Sequence, residues 1–431
     1  MRLLRIAFLV HDIDACGGME RQALLLAREL CARGHRVTIL CSRSASPSWA
    51  GIWPHAEQRG PLHVRWIPLL REVPLETAHE LAFLCAASSV LWEGRVDVIY
   101  AVQVPSCPLA RDLARLLGVP WLVKLAGGGV TGDIAGVVAH EDAARRLEAL
   151  RQADRVVCLS RQIEEEVARV GVAPERLVHV PNGVDLAALS ASAPLASEAV
   201  GLPAGARPLL FVGRLDAGKR VDVLLRALAF LRDAGSPAWL LIAGRGPDER
   251  DLASLADRLG LAERVRFLGQ RDDVPRLLKL AGALVLPSVA EGMSNALLEA
   301  LATGTPVVAT RIPANELLVD DSSAWLVPVD DAEALSRALL AALSDAPEAS
   351  RRAAEGVRRV AERFDIGPVA ADYERLFREL CAAGPRRAGR LGFLHERTRN
   401  TRAWLVHQSE VRVRRSISRA VVSVKRLTGR S

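Results

Sequence analysis

Short apolar runs alternate with longer stretches in which apolar residues return every three or four positions. Residues 2–10 form an apolar strand, and a loop carrying Cys16-Gly17-Gly18 follows it. From Met19 to Arg33, Ala23, Leu24, Ala27 and Leu30 share one face of a helix that Gly34 ends, and Val37 to Cys41 is a second strand. Strand, glycine-rich loop, helix and strand open a doubly wound parallel sheet. Strand-like segments recur at His63 to Ile67, Val96 to Ala101, Trp121 to Leu125, Arg155 to Leu159 and Leu177 to Val180, with helical stretches between them. The turn Pro181-Asn182-Gly183-Val184-Asp185 and an Ala, Ser and Pro-rich stretch to about Pro208 then mark a domain boundary. The rhythm restarts with strands at Leu209 to Val212, Leu240 to Ala243, Val265 to Leu268, Ala283 to Leu286, Val307 to Ala309 and Ala324 to Val327, and helices follow at 331–345 and 348–363.

The stretch from Glu291 to Thr310 adds chemistry to this pattern. Glu291-Gly292-Met293 reads as a turn, and Asn295 to Ala302 is dense in helix formers. Gly304 and Pro306 stop the helix before Val307-Val308. A helix N-terminus therefore stands beside Gly292, carrying about half a positive charge and three or four unpaired N–H groups. It suits a phosphate or a cluster of sugar hydroxyls. Glu291 and Glu299 flank it with seven residues between them, and carboxylates beside an anion site serve hydroxyls rather than phosphate oxygens. In isolation the same two residues read as a turn glutamate and a solvated helix glutamate.

Glu-Gly-Met-Ser-Asn-Ala-Leu-Leu-Glu-Ala resembles the Glu, seven residues, Glu signature of retaining GT-B glycosyltransferases, in particular the large fourth family that uses nucleotide-sugar donors. Three further motifs carry the resemblance. Gly17-Gly18-Met19-Glu20 matches the family's Gly-Gly-x-Glu loop, which approaches the donor phosphates and the acceptor. Gly213-Arg214-Leu215-Asp216-Ala217-Gly218-Lys219 is similar to its pyrophosphate clamp, and Pro181 to Asp185 to its interdomain connection. The resemblance implies an α/β GT-B fold, two Rossmann-like domains facing across a cleft. Residues 1–185 would form the acceptor-side domain, 186–207 a linker, 208–365 the nucleotide-sugar-binding domain, and 366–384 a helix crossing back to the first domain.

The resemblance also assigns roles. Arg214, Lys219 and the helix N-terminus near Ser294 and Asn295 would neutralise the departing diphosphate. Glu291 would grip the donor sugar, helped by N–H groups from Gly292 through Met293 to Ser294, and Glu299 would hold ribose hydroxyls. Gly17, Gly18 and Gly244 would let backbone approach the donor. Retention by front-face attack is implied, with the leaving phosphate accepting the proton. No cofactor or metal is expected beside the nucleotide-sugar co-substrate. Asp12-x-Asp14 is similar to the metal-binding pair of the other major glycosyltransferase fold, whose remaining pattern is absent. One departure stands out: family members commonly carry a histidine soon after the strand near 121–125, where this chain reads Ala126-Gly127-Gly128-Gly129-Val130-Thr131-Gly132-Asp133. Asp133 and His11 are the available contacts to donor sugar or acceptor.

Composition changes the picture in two places. At 431 residues, 50% apolar and 25% charged, the chain suits two or three domains. No run reaches the roughly 18 to 20 apolar residues of a membrane span. The longest, Leu81 to Trp92, is bracketed by Glu80 and Glu93 and reads as a core helix. The first ten residues lead into a Gly-rich turn without a small-residue cleavage site, so they read as a strand and not as a signal peptide. Seven cysteines without a Cys-x-x-Cys pair read as reduced core residues of a cytoplasmic protein. The net charge of +7 belongs to the tail: from Pro385 to Ser431 thirteen Lys and Arg oppose two Glu, which leaves about −4 for the rest. There Val413, Ile417, Val421 and Val424 recur at helical spacing among arginines, as in a basic amphipathic helix. Disorder, contact with an anionic membrane surface, and a nucleic-acid or protein contact are the open readings. Nucleic acid is the least supported, because the tail has one Trp, Trp404, and no stacking pattern.

The leading expectation is a cytoplasmic hexosyltransferase that moves a sugar from a UDP- or GDP-sugar to a polysaccharide or lipid-linked saccharide acceptor. A nucleotide-sugar 2-epimerase shares the architecture but needs several acid and base residues in the cleft. A non-catalytic GT-B-like scaffold or sugar-binding protein would bind nucleotide without turnover.

Overall fold

The computed structural model describes residues 2–10, 17–44, 55–59, 61–69, 87, 95–129 and 132–384. His11, Asp12, Asp14, Cys16, Cys85, nearly all of the stretch from Leu81 to Trp92, and the tail from Pro385 lie outside the described residues.

Among the described residues, fourteen strands form two sheets. The first contains β1 (Arg5–Val10), β2 (Arg36–Ser44), β3 (His55–Arg59), β4 (Leu62–Leu69), β5 (Val98–Val102), β6 (Trp121–Leu125), β7 (Arg155–Cys158) and β8 (Leu177–His179), in the order β3-β4-β2-β1-β5-β6-β7-β8. The second contains β9 (Arg207–Val212), β10 (Ala238–Ala243), β11 (Val265–Gly269), β12 (Ala283–Leu286), β13 (Val307–Thr310) and β14 (Trp325–Val327), in the order β11-β10-β9-β12-β13-β14. Only the β3–β4 pair is antiparallel. β5 and β6 are buried at every position, as parallel strands covered by helices on both faces must be. Their runs are apolar for the same reason, apart from Lys124 in β6.

Each sheet reverses its winding direction once, between β1 and β5 in the first and between β9 and β12 in the second. Loops leaving the carboxyl ends on either side of such a point diverge and leave a crevice. The two crevices face each other, for loops from both sheets line the same cavities.

The helix Ile366–Ala382 follows the second sheet's helices in sequence, yet its apolar face belongs to the first sheet. Val369, Tyr373, Leu376, Phe377 and Leu380 join Phe8, Leu30 and Tyr100 in one buried cluster. Ring centroids lie 4.6 Å apart for Phe8 and Tyr100, 5.7 Å for Tyr100 and Tyr373, and 6.0 Å for Tyr373 and Phe377. The tilted and edge-on geometries match the quadrupoles of the rings.

Two element starts and one strand differ from expectation, and the stretch 186–207, read as an Ala, Ser and Pro-rich linker, carries structure of its own. It holds the helix Leu186–Ser190 and the 3-10 turn Ser197–Val200, and it buries Leu195, Val200 and Leu202 in the same cluster as Leu277 and Leu297. Its Ala, Ser and Pro content masks aliphatic side chains spaced widely enough to reach one hydrophobic wall. The first helix starts at Gly18 rather than Met19, and β9 starts at Arg207 rather than Leu209. The edge strand His55–Arg59 was not expected, because His-Ala-Glu-Gln-Arg has no apolar rhythm to announce it.

Phe377→Ala is expected to cost about 3–5 kcal/mol by leaving a cavity in the shared aromatic cluster. Urea unfolding should show the first domain melting earlier; a transition unchanged from wild type would mean that the helix adds no core to that domain.

Candidate functional site

The loop after β9 presents the first cations. Asp216 accepts from Gly218 N at 3.1 Å and so fixes the turn Ala217–Lys219. Lys219 Nζ donates to Glu291 Oε1 at 2.6 Å, and Ser288 Oγ donates to the same oxygen at 2.7 Å. Both charged side chains are largely buried, Lys219 at 23% and Glu291 at 10% exposure. Arg214 contrasts with this. Its side chain is 72% exposed, and its Nε stands 3.6 Å from Asp216 Oδ2.

The loop after β12 carries Glu291 into the helix Asn295–Thr303. Ser294 Oγ accepts from Leu297 N at 3.3 Å, and Gly304, at φ 70°, closes the other end. The capping hydroxyl leaves the N–H groups of Asn295 and Ala296 without an acceptor inside the helix, at a terminus that lines a cavity. Gly292 lies so close to the first domain that a Cβ would overlap the Ala126 carbonyl oxygen. That carbonyl belongs to the loop after β6, which Asp133 holds in place: its Oδ2 accepts from Ala126 N at 2.7 Å and Gly127 N at 2.8 Å. Burial pushes the Asp133 carboxyl above its ordinary range, and these two backbone bonds pull against that. Asp133 lines a cavity, and its hydrogen bonds go to the loop backbone.

The first helix supplies the opposite wall. Gly18 O accepts from Asn295 Nδ2 at 3.0 Å, and Arg21 donates to Arg271 O at 3.0 Å, both across the domain boundary. On the far side Gly244 holds φ 147° with its Cα pressed to the Gly213 carbonyl, a position that rejects any side chain.

One cavity of about 500 Å³ gathers Gly17, Gly18, Arg214, Lys219, Gly244, Glu291, Met293, Ser294, Asn295 and Glu299. An adjoining cavity of about 750 Å³ adds Gly292 and Asp133, and the two share a wall made by Gly18, Arg214, Lys219, Glu291, Met293 and Asn295. His11 lies outside the described residues. Sequence reasoning missed Arg21, Arg245 and Arg271 in the first cavity and Gln103 and Arg146 in the second. Arg21 stood one helical turn beyond Gly17-Gly18 and Arg245 inside the Gly-Arg-Gly turn, so both carried a signal; the other three become neighbours only through the fold. With five Lys and Arg against two Glu, the smaller cavity favours an anionic, hydroxyl-bearing ligand. Burial raises the Glu299 carboxyl to about 7, with Arg21 pulling the other way.

Two doubly wound domains meeting at a cationic, glycine-edged cavity define the GT-B class of glycosyltransferases. Residues 206–345 match the family described as glycosyl transferases group 1, and residues 17–183 the glycosyl transferase 4-like domain. The chain is 37% identical to the phosphatidyl-myo-inositol mannosyltransferase of Mycolicibacterium smegmatis, over 87% of this chain and 93% of that protein. Sucrose-phosphate synthase from Thermosynechococcus elongatus superposes with a TM-score of 0.73 at 26% identity, over 88% of this chain and all (100%) of the other. Anabaena HepE in complex with UDP-glucose shares the fold with a TM-score of 0.71 at 18% identity, over 87% of this chain and 100% of that one. The protein belongs to the group 1 glycosyltransferases, the fourth family of these enzymes.

A carboxyl whose folded pKa is raised to about 7 favours the folded state below its ordinary pKa, and that contribution is lost as pH rises through about 7. The wild-type melting temperature should therefore fall relative to Glu299→Gln from about pH 5 to about pH 8. Parallel melting curves for the two proteins would show that Glu299 sits in a wet environment.

Proposed function

We propose that this glycosyltransferase is a retaining hexosyltransferase that moves a sugar from a UDP- or GDP-sugar to a hydroxyl of a saccharide or lipid-linked saccharide, without a metal. The observation that carries the reading is the Lys219–Glu291 pair, 2.6 Å apart on the wall shared by both cavities and beside a helix N-terminus. An arriving diphosphate competes for Lys219 and draws in the exposed Arg214, and Glu291 is then free to accept from sugar hydroxyls. Glu299 lies in the same cavity for the ribose hydroxyls. Arg214, Lys219 and the helix terminus supply the positive charge that the leaving diphosphate needs, the task a metal performs elsewhere.

The acceptor occupies the larger cavity, which meets the donor's cavity at the residues that hold the leaving group, Arg214 and Lys219. That arrangement supports front-face attack: the bond from the anomeric carbon to the phosphate oxygen breaks, the acceptor oxygen bonds to that carbon, and the acceptor proton passes to the leaving phosphate. A base from the protein is then unnecessary. The inositol acceptor named for the mycolicibacterial relative supports a hydroxyl-rich acceptor, and UDP-glucose in the Anabaena protein supports a nucleoside-diphosphate sugar. The thirteen Lys and Arg from Pro385 onward support attachment to an anionic membrane on its cytoplasmic face, which suits an acceptor that is itself lipid-anchored.

Calorimetric titration with UDP and with GDP, in the presence of a chelator, tests the donor assignment. One nucleotide should bind, and Lys219→Ala should weaken it by about tenfold or more. Binding of neither would overturn the assignment of a UDP- or GDP-sugar donor. Glu291→Ala should lower turnover by about 10²- to 10³-fold, and undiminished turnover would remove Glu291 from the sugar grip. The chain shortened to residues 1–384 should keep transfer to a soluble acceptor but no longer sediment with phosphatidylserine vesicles; equal sedimentation would place membrane attachment elsewhere.

A further inference from the structure

One side chain of the fully buried strand β6 is charged. Lys124 is 4% exposed, and its contacts are Asn182 Oδ1 at 2.6 Å and the ring of Tyr373, whose centroid lies 5.8 Å from Nζ. Neither partner is a carboxylate. Burial lowers its pKa to about 7. A cation with no charged partner among the described residues costs stability on burial; a methionine of similar length would remove that cost, offset in part by the donor lost to Asn182 Oδ1. Packing therefore does not account for a lysine here.

Direction does. Lys124 Nζ donates to Asn182 Oδ1, so Asn182 turns its oxygen toward Lys124 and its NH₂ away. That NH₂ donates to Asn295 Oδ1 at 2.8 Å, which leaves Asn295 Nδ2 to donate to the Gly18 carbonyl at 3.0 Å. Each carboxamide has one orientation that satisfies both of its neighbours. The relay starts in the core of the first domain and passes through the interdomain turn. It crosses to the first residue of the helix Asn295–Thr303 and returns to the Gly17-Gly18 loop. Asn295 and Gly18 line both cavities.

We propose that Lys124 is a positioning residue for transfer: by orienting Asn182, and Asn295 through it, it holds the donor-side helix terminus and the Gly17-Gly18 loop in register across the cleft. Its consequence for catalysis rests on the donor assignment made above; the relay itself does not. Lys124 touches neither cavity, so it acts only through the two asparagines.

Hydrogen exchange read by mass spectrometry decides the matter without a ligand. Lys124→Met should leave the melting temperature unchanged or raise it, while exchange over residues 17–22 and 293–298 becomes about fivefold faster, the factor expected for one lost hydrogen bond. Adding Lys124→Met to Asn295→Ala should change nothing further in those segments. Asn182→Asp is the second variant: it gives Lys124 a carboxylate but removes the NH₂ that reaches Asn295, so it should loosen the same two segments while stabilising the protein. Unchanged exchange there would overturn the proposal. So would a rise spread evenly over the first sheet with a lower melting temperature, the mark of a purely structural lysine. In a separate arm, Lys124→Met should weaken UDP or GDP binding several-fold. Wild-type protein that binds neither nucleotide would defeat the donor assignment and leave exchange to decide the relay.

Discussion

Everything at the cleft depends on one close approach of backbone to backbone. Gly292 rests against the Ala126 carbonyl with no room for a side chain between them. This contact sets how deeply the second domain's helix terminus enters the cleft, so that Glu291 and Asn295 line cavities on both sides of it. Asp133 holds the loop that bears Ala126, and Ser294 caps the helix that follows Gly292. Both sides of the approach are thereby stiffened by hydrogen bonds of their own. A site that must align two substrates gains from such rigidity, because a misplacement of about 1 Å can cost about two orders of magnitude in rate.

The electrostatics of the cleft follow a second constraint: charges away from water must be matched or suppressed. Lys219 and Glu291 match each other, Glu299 has its carboxyl raised to about 7, and Arg214 stays in solvent. The groups best suited to a diphosphate and to hydroxyls thus hold one another until a ligand with both kinds of group displaces them. A ligand with phosphates alone would leave Glu291 unpaired in a largely dry wall. Selectivity for a nucleotide that carries a sugar can therefore arise from the pair itself, before any contact specific to that sugar.

The double winding was legible in the sequence because parallel strands covered on both faces must be continuously apolar, and because loops at a carboxyl edge need glycine where backbones converge. Glu291, Glu299, Arg214 and Lys219 were legible for a related reason: each lies in a short contiguous motif. What pairs with what was not, since Lys219 and Glu291 are 72 residues apart, Asn182 and Asn295 are 113 apart, and Arg21 reaches across 250 to Arg271. Lys124 escaped notice because one lysine in an apolar strand ordinarily marks an edge exposed to water. The segment 186–207 reads as a linker because small residues dominate its composition, while its burial is decided by the few large ones.

The aromatic cluster joining Tyr373 and Phe377 to Phe8 and Tyr100 also orders events on the ribosome. Residues 2–184 emerge first, but among the described residues the surface formed by β1, β5 and the helix Gly18–Ala32 takes part of its cover from Ile366–Ala382. That face of the nascent first domain therefore lacks this cover until the whole second sheet has been synthesised, and the N-terminal half of the enzyme is finished by the last described helix of the chain.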